Sequence, residues 1–355
     1  MRSRFTRLAP VILACQCIAG CGTIGSRTIS RDQFDYTAAI SDSWKRQMLL
    51  NLVKLRYNDA PTFLEVSSII SQYSLETSLS AGATWNDNLP GNSQSLGAAG
   101  RYTDRPTITY SPLRGEEFTR SLMTPIPPAS LCSIIQAGWP VDRVFLMCVQ
   151  SVNGLDNGTS MMALSRQGNP DFYRLIAALR RIQQAGGVSV RVHKKDNRTA
   201  TIMAFQSGAD GSIKDDVNLV RTLLGMSPGA SEYELVYGRL PTIPNEVAIL
   251  SRSMLQILLE IGSGVDVPQA DLDEGRVMPV LVQTTAEQTR PEILIHSGAR
   301  APNDAFVAVK YRGQRFWIED RDPRSKGMLS FLMVLFSLAE TGGPSRAPLV
   351  TIPAG

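Results

Sequence analysis

Two histidines, His193 and His296, and five cysteines, Cys15, Cys17, Cys21, Cys132 and Cys148, are the side chains here whose ordinary pKa lies nearest neutral pH. A serine-based triad would need one of the two histidines. His193 stands at a strand end before Lys194 and Lys195 and reads as solvated; His296, after Ile293-Leu294-Ile295, reads as structural. No H-E-x-x-H helix, phosphate loop or serine three positions before a lysine is present, and Gly262-Ser263-Gly264 follows a helix rather than opening one. Alternation within 144–149 buries Cys148 rather than activating it. The acidic run Glu319-Asp320-Arg321-Asp322 suggests Ca²⁺. Arg321 and Arg324 neutralise it, however, and Asp322-Pro323 is an ordinary helix start. The expectation is therefore no catalytic residue, no metal site and no cofactor. An envelope hydrolase, whose paired carboxylates cannot be picked out from sequence, stays as an alternative function.

The remaining chemistry lies at the N-terminus. Arg2, Arg4 and Arg7 form a cationic head, and residues 8–20 an apolar core too short to span a bilayer. The core ends in Ile18-Ala19-Gly20-Cys21, an aliphatic residue, two small residues and a cysteine. This resembles the lipobox of bacterial lipoprotein precursors, and the resemblance covers only the leader and its cleavage site. It implies cleavage between Gly20 and Cys21, diacylglycerol on the Cys21 sulfur and an acylated new N-terminus. Ile12-Leu13-Ala14-Cys15 also fits loosely, but leaves a core of only 8–14, so Cys21 is preferred. Gly22, where an aspartate would signal inner-membrane retention, implies delivery to the outer membrane, facing the periplasm. Several acyl chains together anchor stably, unlike one. The mature segments resemble those of uncharacterised bacterial lipoproteins, which implies no function.

Charge gives little further direction. The leader holds three of the 36 basic residues and none of the 32 acidic ones, so the chain from Cys21 onward carries 33 against 32, a formal +1. Nucleic acid is not an expected partner. After cleavage Cys132 and Cys148 are the remaining thiols; an oxidising periplasm permits a disulfide between them, and two buried free thiols are the competing reading.

The elements that position these residues predict an α+β chain. Residues 1–20 read as signal peptide and 21–33 as anchor and polar tether. Residues 34–113 read as a helix over 37–57 plus a long β-hairpin. From Ile69 the odd positions Tyr73, Leu75, Leu79, Ala81 and Ala83 alternate with Ser74, Glu76, Ser78, Ser80 and Gly82. After a turn-rich stretch the alternation resumes through Leu96, Ala98, Gly100 and Tyr102 to Ile108 and Tyr110. Within 114–262 the reading is two short helices, a strand over 141–152, a helix opened by Asn169-Pro170-Asp171, strands near 188–193 and 201–205, a helix over 212–224 and a strand over 232–237. That order matches a ferredoxin-like βαββαβ unit, followed by a helix over 245–261. Residues 263–290 read as a loop or linker. Residues 291–355 read as a C-terminal β-hairpin turning at Arg312-Gly313, a buried apolar helix over 324–340 and a final strand over 349–352.

The expected function is a non-enzymatic, outer-membrane-anchored periplasmic lipoprotein. It would act as a structural or interaction component of the cell envelope. Its partners would be the membrane, through lipid on Cys21, and an envelope protein or copies of itself. The long hairpin raises a second reading, a subunit of an oligomeric outer-membrane pore or export assembly.

Overall fold

The computed structural model describes residues 24–70, 73–84, 93–104, 107–160, 166–195, 198–205, 211–227, 230, 232–279 and 292–340. The cleavage site at Gly20 and Cys21 and the expected strand over 349–352 lie outside the described residues. The chain is α+β and divides into two compact units: one is Thr62–Thr124 with the C-terminal tail, the other Pro125–Ala339 with the segment up to Pro61.

Helix α1 spans Ile24–Arg56. The expected tether over 24–33 is therefore helical; no proline or glycine interrupts residues 26–57, and polar side chains alone do not stop a helix. Its second half buries Met48, Leu49, Leu52, Val53 and Leu55. Asn58, at φ 57°, takes the left-handed position that closes the helix, and Pro61 follows.

The first unit is a β-ribbon. Strand β1 (Leu64–Ile70) pairs antiparallel with β4 (Thr107–Pro112), and β2 (Tyr73–Thr84) with β3 (Ser93–Asp104). The β2–β3 ladder runs unbroken from Tyr73–Asp104 to Thr84–Ser93, and Ile70–Thr107 lies in the same register. A bulge between Val66 and Ser68 shifts β1 by one residue. It thereby brings Val66, opposite Tyr110, onto the face of Ile69 and Ile108. A short helix, α2 (Gly115–Phe118), continues as a π-turn over Thr119–Met123.

The second unit begins with α3 (Pro128–Gln136) and α4 (Val141–Cys148), then β5 (Val149–Val152) and β6 (Leu155–Asp156). The strand expected over 141–152 is thus half helix. Val141, Val144, Phe145 and Cys148 recur at helical spacing and are buried, and only 149–152 enters the sheet. Helix α5 (Pro170–Gln184) starts where Asn169 accepts the Asp171 N–H, and buries Phe172, Leu175, Ile176, Leu179 and Ile182. Strands β7 (Val188–Lys195) and β8 (Arg198–Phe205) are followed by α6 (Gly211–Leu224), β9 (Glu232–Tyr237) and β10 (Glu246–Ser251).

These strands form one sheet in the order β6-β5-β10-β9-β8-β7. The strand order is not ferredoxin-like. That arrangement pairs its first strand with its third, whereas here β8 pairs with β9, and β10 separates β5 from β9. The reason is β10 itself, expected as part of a helix over 245–261. Val247, Ala248 and Ile249 are buried in succession, as in a strand covered on both faces, and periodicity alone does not separate that from a buried helix. Asn153, at φ 46°, holds β10 by exchanging hydrogen bonds with the Ala248 N–H and C=O at 2.8 and 2.9 Å.

Helix α7 (Met254–Ser263) then opens with a Ser253–Gln256 capping box. A short helix, α8 (Gln269–Asp273), occupies part of the expected linker. Strands β11 (His296–Gly298), β12 (Ala305–Tyr311) and β13 (Gln314–Glu319) form a second sheet in the order β11-β13-β12. Its hairpin pairs Tyr311 with Gln314, Val309 with Phe316 and Val307 with Ile318, as the sequence pattern predicts. Arg312 and Gly313 take the positive φ angles, 46° and 83°, of a tight two-residue turn. Helix α9 (Pro323–Glu340) buries Met328, Leu329, Phe331, Leu332, Leu335 and Phe336, with the Phe331 ring 4.6 Å from that of Trp139. Among the described residues no helix is long and apolar enough to cross a membrane.

Helix α1 joins these parts. Tyr57 donates to Asp271 on α8 at 2.5 Å, and its ring meets those of Tyr311 and Phe316 edge-on at 5.4 and 6.2 Å. Against α7, Gly262 permits the close approach. A Cβ there would lie 3.2 Å from the Leu52 carbonyl oxygen and 3.5 Å from the Leu55 Cβ. Gly262→Val is expected to lower unfolding free energy by about 1–3 kcal/mol through overpacking, read by urea denaturation with circular dichroism. A wild-type midpoint would refute this helix contact.

Candidate functional site

Few of the reactive side chains singled out in the sequence come together. The backbone of His193 pairs with Ala200 at the β7–β8 hairpin. His296 lies in the C-terminal sheet, stacked on Trp317 at 5.7 Å with its Nε2 3.9 Å from Glu319. The acidic run is bonded to its own neighbourhood. Asp322 accepts from the Arg324 and Ser325 N–H groups and from Ser325 Oγ, capping α9, while Asp320 accepts from Lys326 at 2.6 Å. Among the described residues no group of three histidine, cysteine or carboxylate side chains is placed to hold a metal. The disulfide expected as one option between Cys132 and Cys148 is not formed; both are free, buried thiols on successive helices. Burial pushes each thiol up to about 12, offset at Cys148 by nearby Arg252.

A cluster that sequence spacing does not reveal lies where α4 passes into β5. Arg252, 3% exposed, donates from Nη1 to the Leu146 and Met147 carbonyls at 3.1 Å and from Nη2 to Gly158 at 2.7 Å. Leu146 and Met147 stand in the last turn of α4, where carbonyls lack helical partners and the helix dipole favours a cation. Asn157 Nδ2 also donates to Leu146 and to Val149, each at 2.9 Å. Burial lowers the Arg252 pKa from its ordinary value, and Glu260, 4.0 Å away, opposes that shift.

Glu260 in turn accepts from Thr159 Oγ1 at 2.6 Å, and from the Ser160 N–H and Oγ at 2.8 and 2.5 Å. Ser160 Oγ also lies 3.0 Å from Ser263 Oγ. The serine–carboxylate contact superficially resembles an activated nucleophile. Its bonds instead fasten Thr159 and Ser160 to α7. The arrangement is a polar staple.

The sequence is expected to hold no G-x-S-x-G elbow, yet Gly225-Met226-Ser227-Pro228-Gly229 matches that spacing. A nucleophile elbow turns from strand into helix. Here Gly225 follows α6 and the next strand is β9, the reverse order.

The ribbon is the other candidate. Direct partners in an antiparallel ladder share a face. One face of β2–β3 therefore holds Leu75–Tyr102, Thr77–Gly100, Leu79–Ala98 and Ala81–Leu96. The opposite face holds Glu76–Arg101, Ser78–Ala99, Ser80–Gly97 and Gly82–Ser95, all of them exposed. A Cβ on Gly97 would come within 2.6 Å of Ser80 Oγ, and one on Gly82 within 2.8 Å of Ser95 Oγ, so a larger residue at either position would displace a serine hydroxyl. Each outer edge of the ladder lacks a strand partner among the described residues. Comparison with family models, curated proteins and solved structures finds no match to this chain.

Two outcomes test these sites. Arg252→Met should cost about 2–4 kcal/mol of stability, because it leaves the Leu146, Met147 and Gly158 carbonyls without their buried donor and half-buried Glu260 without its counter-charge; a loss below about 1 kcal/mol in denaturant titration would contradict the staple. With pKa values near 12, Cys132 and Cys148 should stay unreactive towards a thiol reagent at pH 8 in the folded protein and both react once it is unfolded. Fast reaction of either in the native state would contradict their burial.

Proposed function

We propose that this protein is a lipid-anchored component of the bacterial outer membrane, facing the periplasm, that works through protein contacts rather than turnover. The observation that carries the reading is the β2–β3 ladder, twelve residues on each strand. A two-stranded sheet is marginal in water by itself, and its open edges are templates for pairing. A long, two-faced ribbon of this kind needs a partner to bury its apolar face and satisfy its edges. The anchor rests on the likeness of Ile18-Ala19-Gly20-Cys21 to a lipobox, with Gly22 favouring outer-membrane delivery. Attachment at Cys21 holds the chain at the membrane, which raises its effective concentration for any envelope partner.

Two experiments test the reading. Cys21→Ser should abolish incorporation of an alkyne fatty acid and release an unprocessed or soluble form, and label retained in that variant would refute the anchor. Replacing residues 71–106 by an Asn-Gly turn should leave a folded, lipidated protein that no longer crosslinks into envelope complexes. Unchanged crosslinked species, or robust turnover of a cell-wall polymer by the purified protein, would overturn the contact role.

A further inference from the structure

The β2–β3 ladder has three properties that together restrict what can cover it. The first is length. Strands crossing a bilayer need about 9–11 residues at a tilt near 45°. The stretch Leu75–Ala83, opposite Gln94–Tyr102, supplies nine, and the whole ladder twelve. At about 3.4 Å per residue and a tilt of about 40°, twelve residues rise roughly 31 Å, more than the ~25 Å apolar band of an outer-membrane barrel.

The second is the distribution of chemistry. On the apolar face the acid and the amide fall at the ends, Asp104 opposite Tyr73 at the base and Gln94 opposite Ala83 at the tip, and Thr77 is the one hydroxyl between them. The middle of that face carries no charge. The opposite face has one acid and one base in β2–β3, Glu76 and Arg101, directly paired across the strands, amid serine, threonine, alanine and glycine. That contrast suits lipid on one side and water on the other.

The third is the number of open edges. Among the described residues both outer edges lack a strand. One strand added by a different partner would satisfy one edge and leave the other. In hydrocarbon an open edge is prohibitively costly, and only closure removes it. Pairing β2 of one copy with β3 of the next keeps every neighbour antiparallel and repeats until the ring closes, a head-to-tail assembly.

We propose that copies of this chain pair edge to edge through β2 and β3 into a closed antiparallel barrel crossing the outer membrane. The face of Leu75, Leu79 and Ala81 meets lipid, and the face of Glu76, Ser78, Ser80 and Arg101 lines a water-filled passage. This rests on the anchored reading above, because the lipid on Cys21 delivers each ribbon to the bilayer. A monomer cannot insert; assembly and insertion are one event. Paired Glu76 and Arg101 leave the passage nearly neutral and hydroxyl-lined, suited to hydrated polar cargo rather than to one sign of ion.

Single cysteines at positions 78, 79, 80 and 81 of the full-length lipidated protein in outer membranes test the proposal with a membrane-impermeant maleimide. Cys132 and Cys148 are buried and stay silent, and acylation blocks Cys21. Ser78→Cys and Ser80→Cys should label about ten-fold or more faster than Leu79→Cys and Ala81→Cys, with all four in detergent-stable oligomers. The double variant Leu79→Asp/Ala81→Asp should lose oligomer and membrane integration, while Ser78→Asp/Ser80→Asp keeps both. Continued protection of Cys132 and Cys148 shows in each case that the body remains folded. Equal labelling at all four positions overturns the barrel. So does a monomer in mild detergent that still crosslinks to a different envelope protein; that outcome leaves the contact role standing and removes only the self-assembly.

Discussion

A two-stranded antiparallel sheet turns half of its backbone hydrogen-bonding groups outward, and in this chain those groups run along a ladder of twelve residue pairs. Water can solvate them, but then the apolar face of Leu75, Leu79 and Leu96 has no cover of its own within the ladder. Lipid can cover that face, but then the outward N–H and C=O groups need other strands. The two demands are met together only by more β-structure of the same length, which is why the ribbon points to assembly.

The other unit satisfies its buried arginine and several of its other polar groups from within. The buried Arg252 guanidinium serves the terminal carbonyls of α4 and Gly158, and Glu260 holds the adjoining hydroxyls of Thr159 and Ser160. Asn153 holds β10 against β5, and Tyr57 links α1 to α8 and the C-terminal sheet. These contacts consume the groups that a superficial search would offer as chemistry.

How much of this was legible in the sequence depended on which physical signal each segment carries. The β2–β3 alternation was readable because its two faces differ, so period two survives in the residue types. Helix α5 was readable from Asn169-Pro170-Asp171 and its apolar spacing, and the β12–β13 register from the constraint of a two-residue turn. Strand β10 misleads because Val247, Ala248 and Ile249 are buried in succession and such a run does not report geometry, whereas in 141–152 the helical spacing of Val141, Val144, Phe145 and Cys148 runs without a break into the apolar start of β5. Once β10 was taken for helix, the strand order of the central sheet could not come out right. The 24–33 segment misled differently, since polarity suggested a tether where nothing opposes a helix. The Arg252 cluster was invisible because its members come from distant positions; Ser160 and Glu260 are 100 residues apart, and only the fold joins them.

The mass of the lipidated full-length protein, extracted from outer membranes in mild detergent and measured by light scattering, tests edge-to-edge closure most directly. A single closed oligomer, stable to dilution and visible as rings, is the expected result. A monomer at every concentration would contradict it.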